Sequence, residues 1–119
     1  MMFDTDHTNL EWHEYDVLDL VVKQLDSGKH FKLRSYHEPA RGVDKRKGVI
    51  FMVHGYGKGL RYSALIARNL AMAGYECFGI DGRGQGGSEG ERGYMDNQEV
   101  LLSDQWCLIM EACKKYKIN

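Results

Sequence analysis

The apolar positions of this chain change rhythm near Gly48. Before it, Trp12 to Val22 and His30 to His37 carry β-branched and aromatic residues interleaved with polar ones, joined by the short connection Asp26-Ser27-Gly28-Lys29. That pattern predicts a β-hairpin over 12–22 and 30–37. In its second strand Phe31, Leu33 and Ser35 alternate with Lys32, Arg34 and Tyr36, which places the latter three on a wet face. Pro39, the only proline, opens a polar loop that runs to Lys47. Residues 1–10, rich in Asp, Thr and Asn, read as a flexible N-terminus ahead of one domain over 11–119.

After Gly48 the alternation stops. Val49-Ile50-Phe51-Met52-Val53 is a continuous apolar run, the signature of a strand (48–54) buried on both faces. His54-Gly55-Tyr56-Gly57-Lys58-Gly59 is too glycine-rich for regular structure. Leu65, Ile66, Leu70 and Ala73 then recur at helical spacing, predicting a helix over 61–73 that Gly74 stops. Tyr75 to Ile80 is a second buried-type strand (75–80). Asp81 to Asn97 is a loop with six glycines, and 98–117 reads as a helix with Val100, Leu101, Leu108, Ile109 and Ala112 as its apolar stripe. Strand, glycine turn, helix and strand make a βαβ unit, so the fold class is α/β with a mostly parallel sheet.

Composition narrows the function classes. A chain of 119 residues is about one domain. Its 16 Lys+Arg against 17 Asp+Glu give a formal charge of −1, without the basic footprint of a general nucleic-acid binder. Lys45-Arg46-Lys47 is a local basic run that reads as a solvated loop. No apolar stretch approaches the roughly 20 residues that cross a bilayer, so no transmembrane segment is expected. The acidic start, Met1 to Asp6, has no apolar core of a signal peptide. Cys77, Cys107 and Cys113 are an odd count without CxxC spacing, which argues against a disulfide framework or a zinc site. A reducing, cytoplasmic location is expected, with peripheral contact to membranes as its variant. No cofactor or metal is implied.

Three glycine patterns bear on chemistry. Gly82-Arg83-Gly84-Gln85-Gly86-Gly87 matches G-x-G-x-x-G, but no helix follows before about Gln98, as a dinucleotide site requires. Gly86-Gly87-Ser88-Glu89-Gly90 matches G-x-S-x-G, yet loop residues flank it on both sides, whereas a nucleophile elbow needs a strand before the serine and a helix after it. Ser88 therefore reads as a turn residue. The His54-Gly55-Tyr56-Gly57 turn directly follows a buried parallel strand, where freed backbone N–H groups can face a developing oxyanion. On composition alone a tight turn without chemistry is the commoner outcome, and His54 alone is more often a structural histidine than a base.

Together, Gly48 to Gly57, Leu70 to Asp81, Arg83 to Gly90 and Arg92-Gly93-Tyr94 resemble the N-terminal part of the α/β-hydrolase superfamily, most closely its monoacylglycerol lipase and lysophospholipase-like branch. The resemblance spans about Gly48 to Asp104. It implies a serine ester hydrolase in which the Tyr56 backbone N–H is an oxyanion-hole donor. His54, Gly55, Gly57, Asp81, Arg83, Gly84, Gly86 and Ser88 then build the supporting turn and loop. It also implies that the nucleophile, acid, catalytic histidine and acyl-shaping cap lie beyond Asn119, leaving this chain inactive by itself. The sheet order implied is hairpin, Tyr75 strand, Gly48 strand, with the last open to a further strand, a protein partner or a second copy along 49–53. The substrate implied is a lipid ester. A noncatalytic α/β-hydrolase-derived binding or assembly module is the alternative, and an independent nucleotide-binding domain is a third reading.

Overall fold

The computed structural model describes residues 11–16, 18–24, 27–55, 59–94 and 97–118. The expectation for residues 1–10 lies outside the described residues, as do Val17, Asp26, Tyr56 and Gly57. In chain order the elements are β1 (Glu14–Tyr15), β2 (Leu20–Lys23), β3 (His30–Leu33), β4 (Ser35–Glu38), β5 (Gly48–Met52), a 3-10 turn (Arg61–Ser63), α1 (Ala64–Met72), β6 (Tyr75–Ile80) and α2 (Gln98–Tyr116).

Four strands form one sheet in the order β1-β4-β6-β5. β5 and β6 run parallel, from Gly48 opposite Tyr75 to Met52 opposite Gly79. β4 is antiparallel to β6, and β1 to β4. The fold class is α/β, and the strands of the four-stranded sheet lie in the order that the resemblance implies, but the sheet is mixed rather than mostly parallel: among the described pairings only β5–β6 is parallel, because the N-terminal strands join β6 in antiparallel fashion.

The hairpin is not two continuous strands. β2 and β3 pair as a separate two-stranded sheet. Glu14 to Leu20 is six steps, whereas the opposite stretch from His37 to Leu33 is four, so the first strand carries two extra residues. The break begins at Asp16, whose φ is +51°. Asp tolerates this left-handed conformation better than most residues because its short side chain bonds locally. Here the Asp16 N–H donates to the Ser35 carbonyl at 2.8 Å, and the Asp16 carboxylate accepts the Ser35 N–H at 3.3 Å.

The sheet's period of two separates two cores. Phe78 and Ile80 of β6 join Leu20, Val22, Leu33, Leu108 and Ala112 on the α2 side. Cys77 joins Trp12, Tyr36, Leu60, Ala64 and Ala67 on the α1 side. The result is a helix–sheet–helix stack. α2 starts at Asn97, whose side chain accepts the Val100 N–H at 3.0 Å, a cap that contributes about 1 kcal/mol.

Three burial expectations are corrected. Tyr36, expected on a wet face, is 2% exposed, because Trp12, Leu60 and the Ala64 and Ala67 face of α1 pack over that side of β4, whose edges β1 and β6 cover. β5, expected to be buried throughout, is half-buried along its length because it is the sheet edge. In α1 the buried face is Ala64, Ala67 and Ala71, while Ile66 points outward; small side chains let the helix approach the sheet closely.

Candidate active site

Two segments leave the carboxyl ends of the parallel pair side by side: His54-Gly55 after β5, and the Asp81–Gly90 loop after β6. Ligands gather at this edge of open α/β sheets. A cavity of about 270 Å³ opens here, lined by Val53, His54, Gly82, Gln85, Leu101 and Leu102 among others.

Backbone groups use both ring nitrogens of His54. Nε2 accepts the Gly82 N–H at 2.8 Å, so the proton sits on Nδ1 and points to the Gly55 carbonyl at 2.5 Å. This ties the start of the glycine turn to the second loop.

Asp81 ties its far end. The fully buried carboxylate accepts three hydrogen bonds: Leu60 N–H at 2.7 Å on Oδ1, and the Tyr36 hydroxyl at 2.6 Å and Gly87 N–H at 2.8 Å on Oδ2. Glycine is required on both sides of it. A Cβ at Gly59 (φ +72°) or Gly86 (φ +49°) would lie 2.4 or 2.3 Å from a carboxylate oxygen. Burial, reinforced by the Asp81 carboxylate, raises the Tyr36 phenol far above its ordinary value, which keeps it a donor.

Ser88 is 1% exposed, and its hydroxyl is engaged by backbone. It donates to the Asp81 carbonyl at 2.5 Å and accepts the Arg34 N–H at 2.8 Å. These bonds stitch the loop to the end of β3, helped by Glu89 N–H to the Lys32 carbonyl at 3.0 Å. Gly84 is bonded on both sides, donating to the Glu89 carbonyl at 3.0 Å and accepting the Gly93 N–H at 2.9 Å. Arg83 reaches the other way, forming a two-pronged pair with Asp104 of α2 at 2.7 and 2.9 Å and donating to the Lys23 carbonyl at 3.0 Å. Arg92 caps the Gly86 and Ser88 carbonyls.

The structure thus gathers His54, Gly55, Asp81, Arg83, Gly84, Gly86 and Ser88 at one sheet edge, while Tyr56 and Gly57 fall outside the described residues. Sequence reasoning missed Tyr36, Trp12 and Asp104. The alternation around Tyr36 pointed to solvent, and only the tertiary position of β4 reverses it. Cys77 offers no nucleophile: burial, then the charges of Glu38 and Glu76, push its thiol up to about 12.

A parallel pair flanked by α1 and α2, with a braced loop at its carboxyl edge, is a partial α/β fold consistent with that of the α/β hydrolases. Residues 44–119, more than half of the chain, match the family described as serine aminopeptidase, S33, and the chain belongs to that family. Among solved structures it is similar to a soluble variant of monoglyceride lipase from Saccharomyces cerevisiae in complex with a substrate analog (19% identity, TM-score 0.65), over 99% of this chain and 37% of that one. It is also similar to the α/β hydrolase GrgF from Penicillium sp. sh18 (26% identity, TM-score 0.53), over 89% and 33%. A probable hydrolytic enzyme from Pseudomonas aeruginosa PAO1 shares 17% identity with a TM-score of 0.56, over 91% and 31%. The chain spans about a third of the length of each of these relatives. No curated protein matches it. Among the described residues, no helix is long and apolar enough to cross a membrane.

Proposed function

We propose that this chain is the N-terminal portion of a carboxylic-ester serine hydrolase acting on monoacylglycerol- or lysophospholipid-like esters. In this reading it supplies the oxyanion-hole turn, and the nucleophile, acid and catalytic histidine come from outside it. The observation that supports the reading is that both ends of the glycine-rich stretch after β5, at His54 and at Leu60, are bonded to the loop after β6. The Tyr56 backbone N–H is the proposed donor to the oxyanion, and His54, Gly55, Gly57, Asp81, Arg83, Gly84, Gly86 and Ser88 hold the turn and loop. The reaction is attack of a serine on the ester carbonyl, then hydrolysis of the acyl-enzyme. Backbone donors aimed at the tetrahedral oxygen stabilise the charge that develops there.

The open edge of β5 supports a second part of the proposal. Among the described residues no strand covers it, and Val53 beside it is 71% exposed. An unpaired apolar edge templates strand addition. It is covered by the remaining hydrolase strands, by a protein partner or by a second copy. A cytoplasmic setting completes the reading. The experiment is an assay of the purified chain on p-nitrophenyl esters and monoacylglycerols. No turnover above background is expected from it alone, and hydrolysis abolished by Ser88→Ala would overturn the reading.

A further inference from the structure

We infer that Tyr36 is a positioning residue for the glycine turn, acting through Asp81 to hold the peptide that follows the turn. The inference rests on the proposed oxyanion role of that turn for its catalytic meaning, though not for its geometry.

Leu60 is the first buried side chain after the turn, and its backbone is gripped on both sides. Its N–H goes to Asp81 Oδ1 at 2.7 Å, and its carbonyl accepts the Trp12 indole N–H at 2.8 Å. Its side chain lies over Gly79, where a Cβ would come within 2.1 Å of Leu60 Cδ1. The N-terminal segment takes part in both grips. Trp12 makes one directly, and Tyr36 supports the other by donating its hydroxyl to Asp81 at 2.6 Å. The two rings pack together with centroids 5.2 Å apart.

The hydroxyl has work that the ring does not. A phenylalanine would fill the same space, so packing alone does not call for oxygen at this position. The Asp81 carboxylate is fully buried, and a buried charge is tolerated only when its oxygens are well bonded. Two of its three donors, Leu60 N–H and Gly87 N–H, belong to the two loops that form the site's mouth. The third is Tyr36. Removing it leaves Oδ2 with Gly87 alone and lets the carboxylate move, which loosens both loops together. A phenol is protonated at neutral pH even at its ordinary value, and burial raises this one further, so the hydroxyl is a standing donor.

Amide hydrogen exchange on Tyr36→Phe is the test, read at Leu60 and Gly87, with Ala67 of α1 and Cys77 of β6 as references. Exchange at Leu60 and Gly87 should rise about tenfold relative to the references, the scale of a lost hydrogen bond to a charged group. Unchanged exchange at these two amides, or equal acceleration at all four, overturns the inference; the latter marks a merely structural role. If Tyr36→Phe does not fold, Asp81→Asn decides: the weaker acceptor should accelerate Leu60 and Gly87 and release the Tyr36 hydroxyl proton to fast exchange, and unchanged amides or an unchanged hydroxyl proton overturn the inference. In an ester hydrolase carrying this segment, Tyr36→Phe should lower kcat about tenfold with KM unchanged, and an unchanged kcat overturns the positioning role. Absence of any ester hydrolysis by a longer protein that carries this segment sinks the proposed function instead, and exchange at Leu60 and Gly87 still decides whether Tyr36 holds the end of the turn.

Discussion

Arg83 and Asp104 meet through two parallel hydrogen bonds, at 2.7 and 2.9 Å, and join the loop after β6 to the middle of α2. Both side chains are more than nine-tenths buried. A two-pronged guanidinium–carboxylate pair fixes orientation as well as distance. Removing one member leaves the other charge buried and uncompensated, a loss of about 3–5 kcal/mol. Asp104→Ala should therefore lower unfolding stability by about that amount in urea titration. Arg83→Met with Asp104→Leu should recover most of it, and a double variant as unstable as the single one would contradict this account.

Gly59→Ala and Gly86→Ala should each destabilise the protein by more than about 2 kcal/mol. Each combines a left-handed backbone, costly for any residue with a Cβ, with an intrusion on the Asp81 carboxylate. Gly55→Ala is the control, since no atom lies within 4 Å of its added Cβ. Thermal melting of the three variants checks the ranking.

Gly57→Val should lower kcat on the order of 100-fold in an ester hydrolase carrying this segment, by redirecting the Tyr56 N–H. KM should move little. Turnover equal to wild type would remove the turn from the oxyanion hole.

Alkaline pH should destabilise the fold. Cys77 is raised from 9.0 to about 12, and burial also raises Tyr36, Tyr15, Cys107 and Tyr116. A raised acid is protonated when folded and ionised when unfolded, so the unfolded chain binds fewer protons above the unperturbed value. The Cys77 contribution is complete below pH 9 and is lost as pH rises toward about 12. Melting curves from pH 8 to 11 should show a falling Tm, with a shallower slope in Cys77→Ala. A flat profile would show that these groups are not buried as described.

Val53→Lys should shift the chain toward a monomer. Val53 is exposed beside the open edge of β5, and a lysine there opposes strand addition. Light scattering behind size-exclusion chromatography reads the mass. A wild-type chain that is already a cooperatively melting 13.7 kDa monomer, with slow exchange over Val49 to Val53, rules the edge out as an association site.

Local signals made much of this architecture legible. The run Val49–Val53 and the glycine at 74 announced β5 and the end of α1, and Asn97 starts α2 by a side-chain cap close in sequence. The βαβ unit follows from such short-range information. Tyr36 was misassigned because alternation says which residues share a face, not whether that face is covered; Trp12, Leu60 and α1, distant in the chain, decide that. Asp16 carried no hint of a break, because tolerance of φ +51° becomes visible only against the register of the opposite strand. The site was legible as glycines. Its wiring was not, since Asp81 gathers donors from Tyr36, Leu60 and Gly87, three separate stretches of chain.

The antiparallel pairing of β4 with β6 also sets a timetable for synthesis. His37 faces Phe78 across the sheet, yet 41 residues separate them in the chain. At ribosomal rates of roughly 5–20 residues per second, the hairpin waits about 2–8 s before its inner neighbour exists. During that interval β4 has no β6 to pair with, and the buried ring of Tyr36 has no Asp81 to meet.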